Sequence, residues 1–360
     1  MNLTEYLNIS IDRIFRQALR CSLTNARESG FLIRAMTSQR KAAEKRLQSE
    51  REGDPLPPFL IASIATRCNL HCAGCYARAN HVCADAAAAG ELSAARWGEL
   101  FAEAKTLGVS FILLAGGEPL ERPEVLDKAA KTHGLIFPVF TNGTLFTEEA
   151  LGRFDRNRNL FPIISIEGGR LQTDGRRGEG IFRLIARAMD EMKRRGIFYG
   201  VSITVTKENL AAVTSEGFIA GLGENGCKLV VFVEYVPVDG NRGLEPGEEE
   251  HRVLAERQET LRLRFTDIMF ISFPGDEKQM GGCLAAGRGF FHINPFGGAE
   301  PCPFSPYTDT NLKVGSIRQA LNSALFLRIR QSGIQTEGHT GGCVLFDKRT
   351  AVESMLPPVT

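Results

Sequence analysis

At 360 residues, of which 43% are hydrophobic, the chain is long enough for two units or for one large α/β domain with appendages. Its 43 Lys and Arg against 42 Asp and Glu leave a net charge of +1, which gives no indication of a nucleic-acid partner. No apolar run reaches the roughly 18 residues of a membrane span, and the N-terminus lacks the pattern of a secretory signal, so we expect a cytoplasmic protein.

Residues 1–52 predict helices that lie outside the main fold. The first of them has an apolar face and a basic face. The apolar face carries Leu7, Ile11, Ile14, Phe15 and Ala18. The basic face carries Arg13, Arg16 and Arg20. A helix of this kind either docks on a folded domain, which is the commoner case, or makes peripheral contact with an anionic membrane.

Six apolar runs in the middle of the chain predict buried strands. They span residues 58–65, 110–115, 136–141, 161–167, 198–206 and 228–236. Helical patterns lie between them, for example one that begins after Ser93 and one that ends at Gly196. Repeated strand–helix units form a parallel sheet with right-handed crossovers. Because a complete barrel needs eight units, we predict an α/β fold with a partial (β/α)6 TIM-like barrel, whose function lies at the carboxyl ends of its strands.

The sequence pattern changes on both sides of this array. We predict a helical N-terminal extension at residues 1–57, the barrel at residues 58–240, and a small α+β domain at residues 241–360. The last part contains a charged helix near residues 246–264, an apolar strand and a β-hairpin around Gly297, followed by a single amphipathic helix.

Nine cysteines in a cytosolic chain indicate metal binding or catalysis rather than disulfides, because the reducing pool keeps thiols free. Six of them form two sets. The first set is Cys68, Cys72 and Cys75, and the second is Cys283, Cys302 and Cys343. The three that stand apart are expected to be small buried hydrophobic residues. These are Cys21, Cys83 and Cys227.

The first set lies in TRCNLHCAGCYARAN, residues 66–80, directly after the first predicted strand. A structural zinc site takes four ligands, so His71, His81 or Cys83 would have to complete it. In an iron–sulfur cluster, three thiolates leave one iron of a 4Fe–4S centre open. An open iron is both a Lewis acid and an electron donor, which a reductive cleavage needs.

This CxxxCxxC motif, followed by Tyr76 at the end of the first strand of a βα array, resembles the radical S-adenosylmethionine (radical SAM) enzymes. The resemblance implies that the open iron chelates the amino and carboxylate groups of SAM. Reduction would then yield a 5′-deoxyadenosyl radical that abstracts hydrogen from a substrate. The resemblance also implies a low-potential electron donor such as a flavodoxin or a ferredoxin, and it makes Tyr76 a candidate SAM contact.

The second strand ends in AGGEP, which is similar to the motif that holds the amino group of SAM in this family. The matching residues are Gly116, Gly117, Glu118 and Pro119. Glycines let the backbone approach a ligand closely. For an isolated GGEP, a plain strand-to-helix turn would be the favoured alternative, and TNG at residues 141–143 is a weaker echo after the third strand.

The fourth strand continues into SIEGGRLQTDGRRGEGIF, residues 165–182. It resembles the pattern SxDG followed by D-x-x-RG-x-G-x-F of peptide- and sulfatase-modifying radical SAM enzymes, with Glu167 where Asp is usual. Polar side chains at the ends of the fourth and fifth strands are candidates for hydrogen bonds to the ribose of SAM, although such side chains more often satisfy loop backbone. They are Ser165, Glu167, Ser202 and Thr204.

The second cysteine set resembles the SPASM and shorter twitch domains, which hold auxiliary iron–sulfur clusters, so the resemblance covers about residues 58–345. The compact run CxxCx5CxxxC of a full SPASM domain is absent, so we expect one auxiliary cluster at most. Either another group completes it or one iron stays open for substrate; a Cys3His zinc site is the rival. Candidate fourth ligands are His292, Glu337, His339 and Asp347.

The sequence predicts a radical SAM enzyme whose substrate is a small molecule, a lipid-like compound or a peptide. The alternative is a non-catalytic scaffold that binds zinc or a closed iron–sulfur cluster. Neither the substrate nor the oligomeric state follows from the residues, because one module serves many reactions.

Overall fold

In the computed structural model, residues 2–336 and 342–357 are described, apart from the side chains of residues 278 and 279. The helices are α1 Leu3–Cys21, α2 Ala26–Arg51, α3 Tyr76–Ala79, α4 Ala94–Leu107, α5 Pro123–Lys131, α6 Glu148–Arg156, α7 Arg170–Arg177, α8 Ile181–Arg195, α9 Leu210–Val213, α10 Glu216–Glu224, α11 Glu248–Arg264, α12 Ile317–Leu321, α13 Ala324–Gln331, α14 Val344–Asp347 and α15 Arg349–Ser354. The strands are β1 Phe59–Ala65, β2 Phe111–Gly116, β3 Phe137–Thr141, β4 Leu160–Ser165, β5 Gly200–Val205, β6 Leu229–Glu234, β7 Met269–Phe273, β8 His292–Ile293 and β9 Ala299–Glu300.

All nine strands of the described chain belong to one sheet, in the order β7-β6-β5-β4-β3-β2-β1-β8-β9. The pairs from β7 to β8 are parallel, and β8 pairs with β9 antiparallel as a hairpin. The six predicted strands and the hairpin are therefore confirmed, and the fold is consistent with a partial TIM barrel. The sheet also continues past residue 240, because the apolar strand β7 extends it beyond β6.

The two faces of the sheet carry different packing. The crossover helices cover one face with the apolar sides that their periodicity predicted. Trp97 and Phe101 on α4 and Phe137 on β3 are fully buried in this layer. Side chains alternate along each strand, so every second residue points to the opposite, inner face. The inner face lines a cavity of about 820 Å³, which also reaches the first cysteine set.

The N-terminal helix α1 packs its apolar face against the inner face of the sheet. Ile11, Phe15 and Ala18 are buried there, and the ring of Phe15 stacks on that of Phe111 at 5.6 Å between centroids. Of the two alternatives for this helix, docking is therefore observed, and peripheral membrane contact through this face is not supported, because its apolar residues are already covered. Within the described ranges, we find no helix that combines the length and apolar character needed to cross a membrane.

The loop before β8 closes the open side of the barrel. The ring of Phe290 lies 5.0 Å from that of Phe59 on β1 and 5.7 Å from that of Phe273 on β7. Further along the chain, our prediction of a single amphipathic helix is wrong. The predicted helix is divided into α12, which ends at Leu321 with Asn322 as its C-cap, and α13, which Ser323 caps by accepting a hydrogen bond from the Phe326 backbone N–H.

The docking of α1 predicts a large effect of Phe15→Ala on stability. Phe15 is 3% exposed, and removing a buried phenyl ring typically lowers the free energy of unfolding by about 3–5 kcal/mol. Anaerobic urea denaturation would measure the change. The control Ile9→Ala, on the same helix but 43% exposed, should change the free energy by less than about 0.5 kcal/mol, and equal effects of the two substitutions would contradict the docking.

Candidate active site at the carboxyl edge of the sheet

The first cysteine set lies in the loop that leaves β1 at the carboxyl edge of the sheet. Cys68, Cys72 and Cys75 are half-buried, and all three line the inner cavity. Helix α3 begins directly after Cys75. Gly74 has a φ of +67°, and a Cβ there would lie 2.6 Å from the Tyr235 ring, so this position of the loop requires glycine.

Polar groups from neighbouring loops approach these sulfur atoms. The Asn142 side-chain amide donates to Cys68 Sγ at 3.9 Å, and Arg177 Nη1 donates to Cys72 Sγ at 3.9 Å. Such donors stabilise the thiolate form, which is the form that binds metals. Asn142 belongs to the TNG turn, which the sequence marked only as an echo, and Arg177 belongs to the pattern that follows β4.

Cys83 lies against Cys68, although the sequence placed it among the isolated cysteines. The hydrogen bond from Cys83 lowers the pKa of Cys68 to about 6, whereas that contact and burial raise the pKa of Cys83 itself. Cys83 is buried, as expected of a small hydrophobic residue. Its contact with the thiol loop arises because the backbone N–H of Cys68 donates to the carbonyl of Ala84 at 2.9 Å.

The AGGEP turn packs against the exit of β1. The Gly117 N–H donates to the Ala65 carbonyl at 2.6 Å, and the Glu118 N–H donates to the Arg67 carbonyl at 2.8 Å. A Cβ on Gly117 would overlap the Arg67 carbonyl, and one on Gly116 would lie 2.5 Å from the Ala65 carbonyl oxygen. The two glycines therefore admit the backbone of the cysteine loop itself.

The Glu118 carboxylate is fully buried and joins β2 to the turn after β3. Its oxygens accept hydrogen bonds from Thr141 Oγ1 at 2.6 Å, from the Asn142 N–H at 2.8 Å and from the Leu120 N–H at 3.0 Å. Burial raises the pKa of Glu118 to about 7, against the effect of these hydrogen bonds. Pro119 is buried and begins a short 3-10 helix, Pro119–Glu121.

The Glu167 carboxylate organises the end of β4 in a similar way. Arg176 Nη1 and Arg177 Nη2 each lie 2.5 Å from Glu167 Oε1, and the Thr204 N–H donates to Oε2 at 3.2 Å. Glu167 is 1% exposed, and both of its oxygens have protein partners. The two arginines that follow β4 therefore bind the carboxylate at the end of the same strand.

Asp174 belongs to the same pattern. Its Oδ1 accepts a hydrogen bond from the Phe182 N–H at 2.7 Å, next to the start of α8.

The remaining predicted SAM contacts lie on the inner face. Ser165 and Ser202 are register partners on β4 and β5, and their hydroxyls are 3.2 Å apart. Thr204 Oγ1 accepts a hydrogen bond from Arg176 Nη1 at 2.9 Å. Tyr76 is half-buried and lines the cavity, and its ring meets that of Phe304 edge to face at 5.4 Å.

The structure brings the second cysteine set together from three distant parts of the chain. Cys283 and Cys302 are buried and Cys343 is half-buried. Burial and a hydrogen bond with the Cys343 thiol raise the pKa of Cys302 well above its ordinary value. Cys302 is two residues before Phe304, so the Tyr76–Phe304 contact connects the two cysteine sets.

The candidate fourth ligands of this set differ in their surroundings. Both ring nitrogens of His292 are engaged, Nε2 with Ser63 Oγ at 2.8 Å and Nδ1 with Glu300 Oε2 at 2.7 Å. Both nitrogens already have protein partners, which disfavours His292 as a metal ligand. Asp347 is half exposed and lies 3.9 Å from Arg242. The remaining two candidates, Glu337 and His339, lie outside the described residues.

A buried carboxylate that the sequence did not single out, Glu277, lies near the second set. Burial is the main cause that raises the pKa of Cys283, and the negative charge of Glu277 is the second. Glu277 Oε1 accepts a hydrogen bond from the Leu284 N–H at 3.2 Å. Considering residues 2–336 and 342–357 only, three or more His, Cys, Asp or Glu side chains do not gather closely enough anywhere to hold a single metal ion.

Glu234 is a second cavity residue that the sequence did not single out. It ends β6, is 3% exposed, and accepts hydrogen bonds from the Gly342 N–H at 3.1 Å and from His251 Nε2 at 3.1 Å. Gly342 precedes Cys343, so Glu234 connects the barrel to the second cysteine set. An isolated Glu at the end of a strand carries no pattern that would have identified it.

Comparison with known proteins places this site in a family. Residues 62–213 match the family model of the radical SAM superfamily. The chain is 25% identical over 314 residues to the AdoMet-dependent heme synthase of Methanosarcina barkeri, with 79% of this chain and 88% of that protein covered. It is 28% identical over 324 residues to the mycofactocin maturase MftC of Mycobacterium tuberculosis, with 83% and 78% covered.

Among solved structures, SuiB of Streptococcus suis bound to S-adenosylmethionine has the same fold. Its TM-score is 0.67 at 15% identity, over 85% of this chain and 75% of that chain. The two chains thus share the partial-barrel fold. The segment of residues 62–213 is therefore a radical SAM domain, and the cofactors of this family are a 4Fe–4S cluster and SAM.

The close packing of the AGGEP turn predicts that Gly117→Ala damages the site. The added methyl group would overlap the Arg67 carbonyl, and overpacking of this kind lowers the free energy of unfolding by roughly 1–3 kcal/mol. The control Gly175→Ala, where a Cβ meets nothing within 4 Å, should leave stability unchanged or increase it, because alanine favours the helix. Anaerobic urea denaturation of both variants would measure this, and equal stabilities would contradict the packing.

The Glu234–His251 pair predicts a titration shift. The hydrogen bond that His251 Nε2 donates to Glu234 raises the pKa of His251 above its ordinary value of 6.5. Because the folded-state pKa is raised, the pair stabilises the fold fully below pH 6.5, and this contribution is lost as the pH rises through the raised pKa. An NMR titration, assigned with His251→Gln, should show a midpoint above 6.5 that falls in Glu234→Gln. A midpoint that is the same in both proteins would show that the pair does not form.

Proposed function

We propose that Cys68, Cys72 and Cys75 hold the 4Fe–4S cluster at which this enzyme cleaves SAM. The single observation that supports this assignment is that these three thiols of one loop face the cavity inside the barrel. The donors on Cys68 and Cys72 fit a negatively charged cluster, because a guanidinium and an amide offset part of the thiolate charge. A site for a single structural zinc would instead need a fourth ligand.

SAM would lie at the carboxyl edge, between the thiol loop and the ends of β2, β4 and β5. When bound, the cluster and SAM supply a 5′-deoxyadenosyl radical that takes a hydrogen atom from the substrate. The polar groups that face this space suit a nucleoside, since hydroxyls both donate to and accept from ribose hydroxyls, and backbone carbonyls accept from ribose hydroxyls and from an ammonium group. They are Ser165, Ser202, Thr204 and the backbone of Gly116 and Gly117.

Glu118 and Glu167 would serve SAM indirectly. Both carboxylates are buried with their oxygens occupied, so we assign them to holding the turns after β3 and β4 in place. Pro119 would direct the chain away from the site. Tyr76 would pack beside the cluster.

We further propose that residues 241–360 form a twitch-like domain beside the barrel, residues 58–240, with residues 1–57 as an extension. Cys283, Cys302 and Cys343 would hold one auxiliary iron–sulfur cluster, with one position left for a non-thiol ligand. Such a cluster could exchange an electron with the substrate radical. The electron for SAM cleavage would come from a low-potential flavodoxin or ferredoxin.

A non-catalytic scaffold is the alternative function. It is disfavoured because three cavity-facing thiols with a neighbouring polar pocket leave room for a small molecule, which a closed structural site does not need. The relatives do not choose the substrate, because one is a heme synthase and another a mycofactocin maturase.

Anaerobic reconstitution of single-cysteine variants tests both sets. Cys72→Ala should bind about four fewer irons and form no 5′-deoxyadenosine after reduction with dithionite in the presence of SAM. Cys302→Ala should also lose the iron of one cluster but still cleave SAM, because its thiol belongs to the other set. Iron analysis and chromatography of 5′-deoxyadenosine are the measurements.

The matched control is Cys227→Ala, which removes a fully buried thiol far from both sets in the sequence. It should retain the wild-type iron content and SAM cleavage. Unchanged 5′-deoxyadenosine formation in Cys72→Ala, or stoichiometric zinc in place of iron at that loop, would refute the assignment.

A further inference from the structure

The cavity inside the barrel is larger than the polar space at its rim. It has a volume of about 820 Å³ and extends from the first cysteine set to α1. Ligand pockets commonly occupy ~300–1,000 Å³. A cavity of this depth has room for SAM at the rim and for part of a second molecule below it or beside it.

The register of the sheet divides the inner face into two walls. Ser165 pairs with Ser202, and Ser202 in turn pairs with Val231 on β6, which pairs with Ile271 on β7. One row of the sheet therefore changes from hydroxyl to hydrocarbon between β5 and β6.

The next row repeats this change. Thr204 on β5 pairs with Val233, and Val233 pairs with Phe273. The polar side of both rows is the side that we assign to SAM.

The hydrocarbon side continues onto the segment that precedes the second cysteine set, and we call the combined surface the apolar wall. It consists of Val231, Val233, Ile271, Phe273, Met280 and Leu284. Val233, Ile271, Phe273 and Met280 remain partly exposed. These four side chains pack against the core clusters but keep part of their hydrocarbon surface open to the cavity. Such a surface favours an apolar ligand, because covering it removes hydrocarbon from water.

The charges in the cavity argue against a substrate with many carboxylates. Arg158 lies 3.3 Å from Glu28, and Arg262 lies 3.1 Å from Asp276. Arg176 and Arg177 share the carboxylate of Glu167. Arg158 and Arg262 already face carboxylates, and Arg177 also donates to Cys72, so little positive charge is left to attract carboxylates of a substrate.

Arg13 also lines the cavity, but it is an exposed residue of α1, at the end opposite the first cysteine set.

We propose that the substrate carries a hydrocarbon chain, aliphatic or isoprenoid, that lies on the apolar wall with a C–H bond facing SAM. This inference rests on the proposed function for the position of SAM. The 5′-deoxyadenosyl radical takes a hydrogen atom from that C–H bond, so that 5′-deoxyadenosine and a carbon radical on the chain are formed. Leu284 of the apolar wall directly follows Cys283, so the chain would lie close to the second cysteine set.

The test uses cis-parinaric acid, a fluorescent fatty acid, titrated into the anaerobically reconstituted protein with SAM present. We expect saturable binding of about one probe per chain, displaced by hexadecanol. Ile271→Asp should weaken binding at least tenfold, because a hydrocarbon chain on the wall would strip water from the new carboxylate. Val233→Trp should weaken it at least fivefold by filling the space, and this second variant decides if Ile271→Asp does not fold.

The control is Leu263→Asp, which introduces the same charge at a leucine that is 83% exposed and does not line the cavity. It should bind the probe as the wild type does. Non-saturable binding, or equal binding by the wall variants, would overturn the proposal. Displacement by coproporphyrin III or by an apolar dodecapeptide at lower concentration than by hexadecanol would also overturn it and would favour a tetrapyrrole or a peptide.

Iron content and SAM cleavage are measured on the same samples, which separates the two proposals. A protein that cleaves SAM but does not bind the probe refutes only the substrate class. A protein that binds the probe but contains no cluster at the first cysteine set refutes the proposed function instead.

Discussion

Two buried carboxylates, Glu118 and Glu167, hold together the loops at the carboxyl edge of the barrel, and the candidate site depends on them. A buried carboxylate is tolerated only where hydrogen-bond donors surround it. Each of the two therefore accepts hydrogen bonds from groups at the end of a neighbouring strand. Glu118 fixes the turn that carries Asn142, and Glu167 fixes Arg177. Both residues donate hydrogen bonds to thiols of the cysteine loop.

The N-terminal helices complete the barrel from its other end. A partial barrel leaves apolar side chains of its inner face uncovered, and α1 buries part of them with Ile11, Phe15 and Ala18. The cavity is thereby bounded by α1 below and by the cysteine loop above. The segment that matches the radical SAM family model, residues 62–213, does not include this helix, so the shape of the cavity depends on residues outside the shared domain.

The position of the second cysteine set follows from the way the sheet ends. Strand β7 continues the parallel array, and the β8–β9 hairpin joins the sheet beside β1. This brings Cys302 near Tyr76, which directly follows the first set, through the contact of Tyr76 with Phe304. Both sets therefore lie at the same end of the molecule, on either side of the space where SAM and a substrate would meet.

Much of the fold and part of the site could be predicted from the sequence, because they depend on local patterns. Apolar runs and helix caps gave the six central strands and their helices, and the short spacing of Cys68, Cys72 and Cys75 gave the thiol loop. The contacts of Glu234 with Gly342 and of His292 with Ser63 could not be predicted, because each joins residues far apart in the chain and leaves no periodic signal. The sequence alone determined the class of fold and the short spacing that groups three thiols on one loop. The tertiary structure alone decided which carboxylates and arginines surround them, because that choice depends on strand register and on how each buried charge finds its partner.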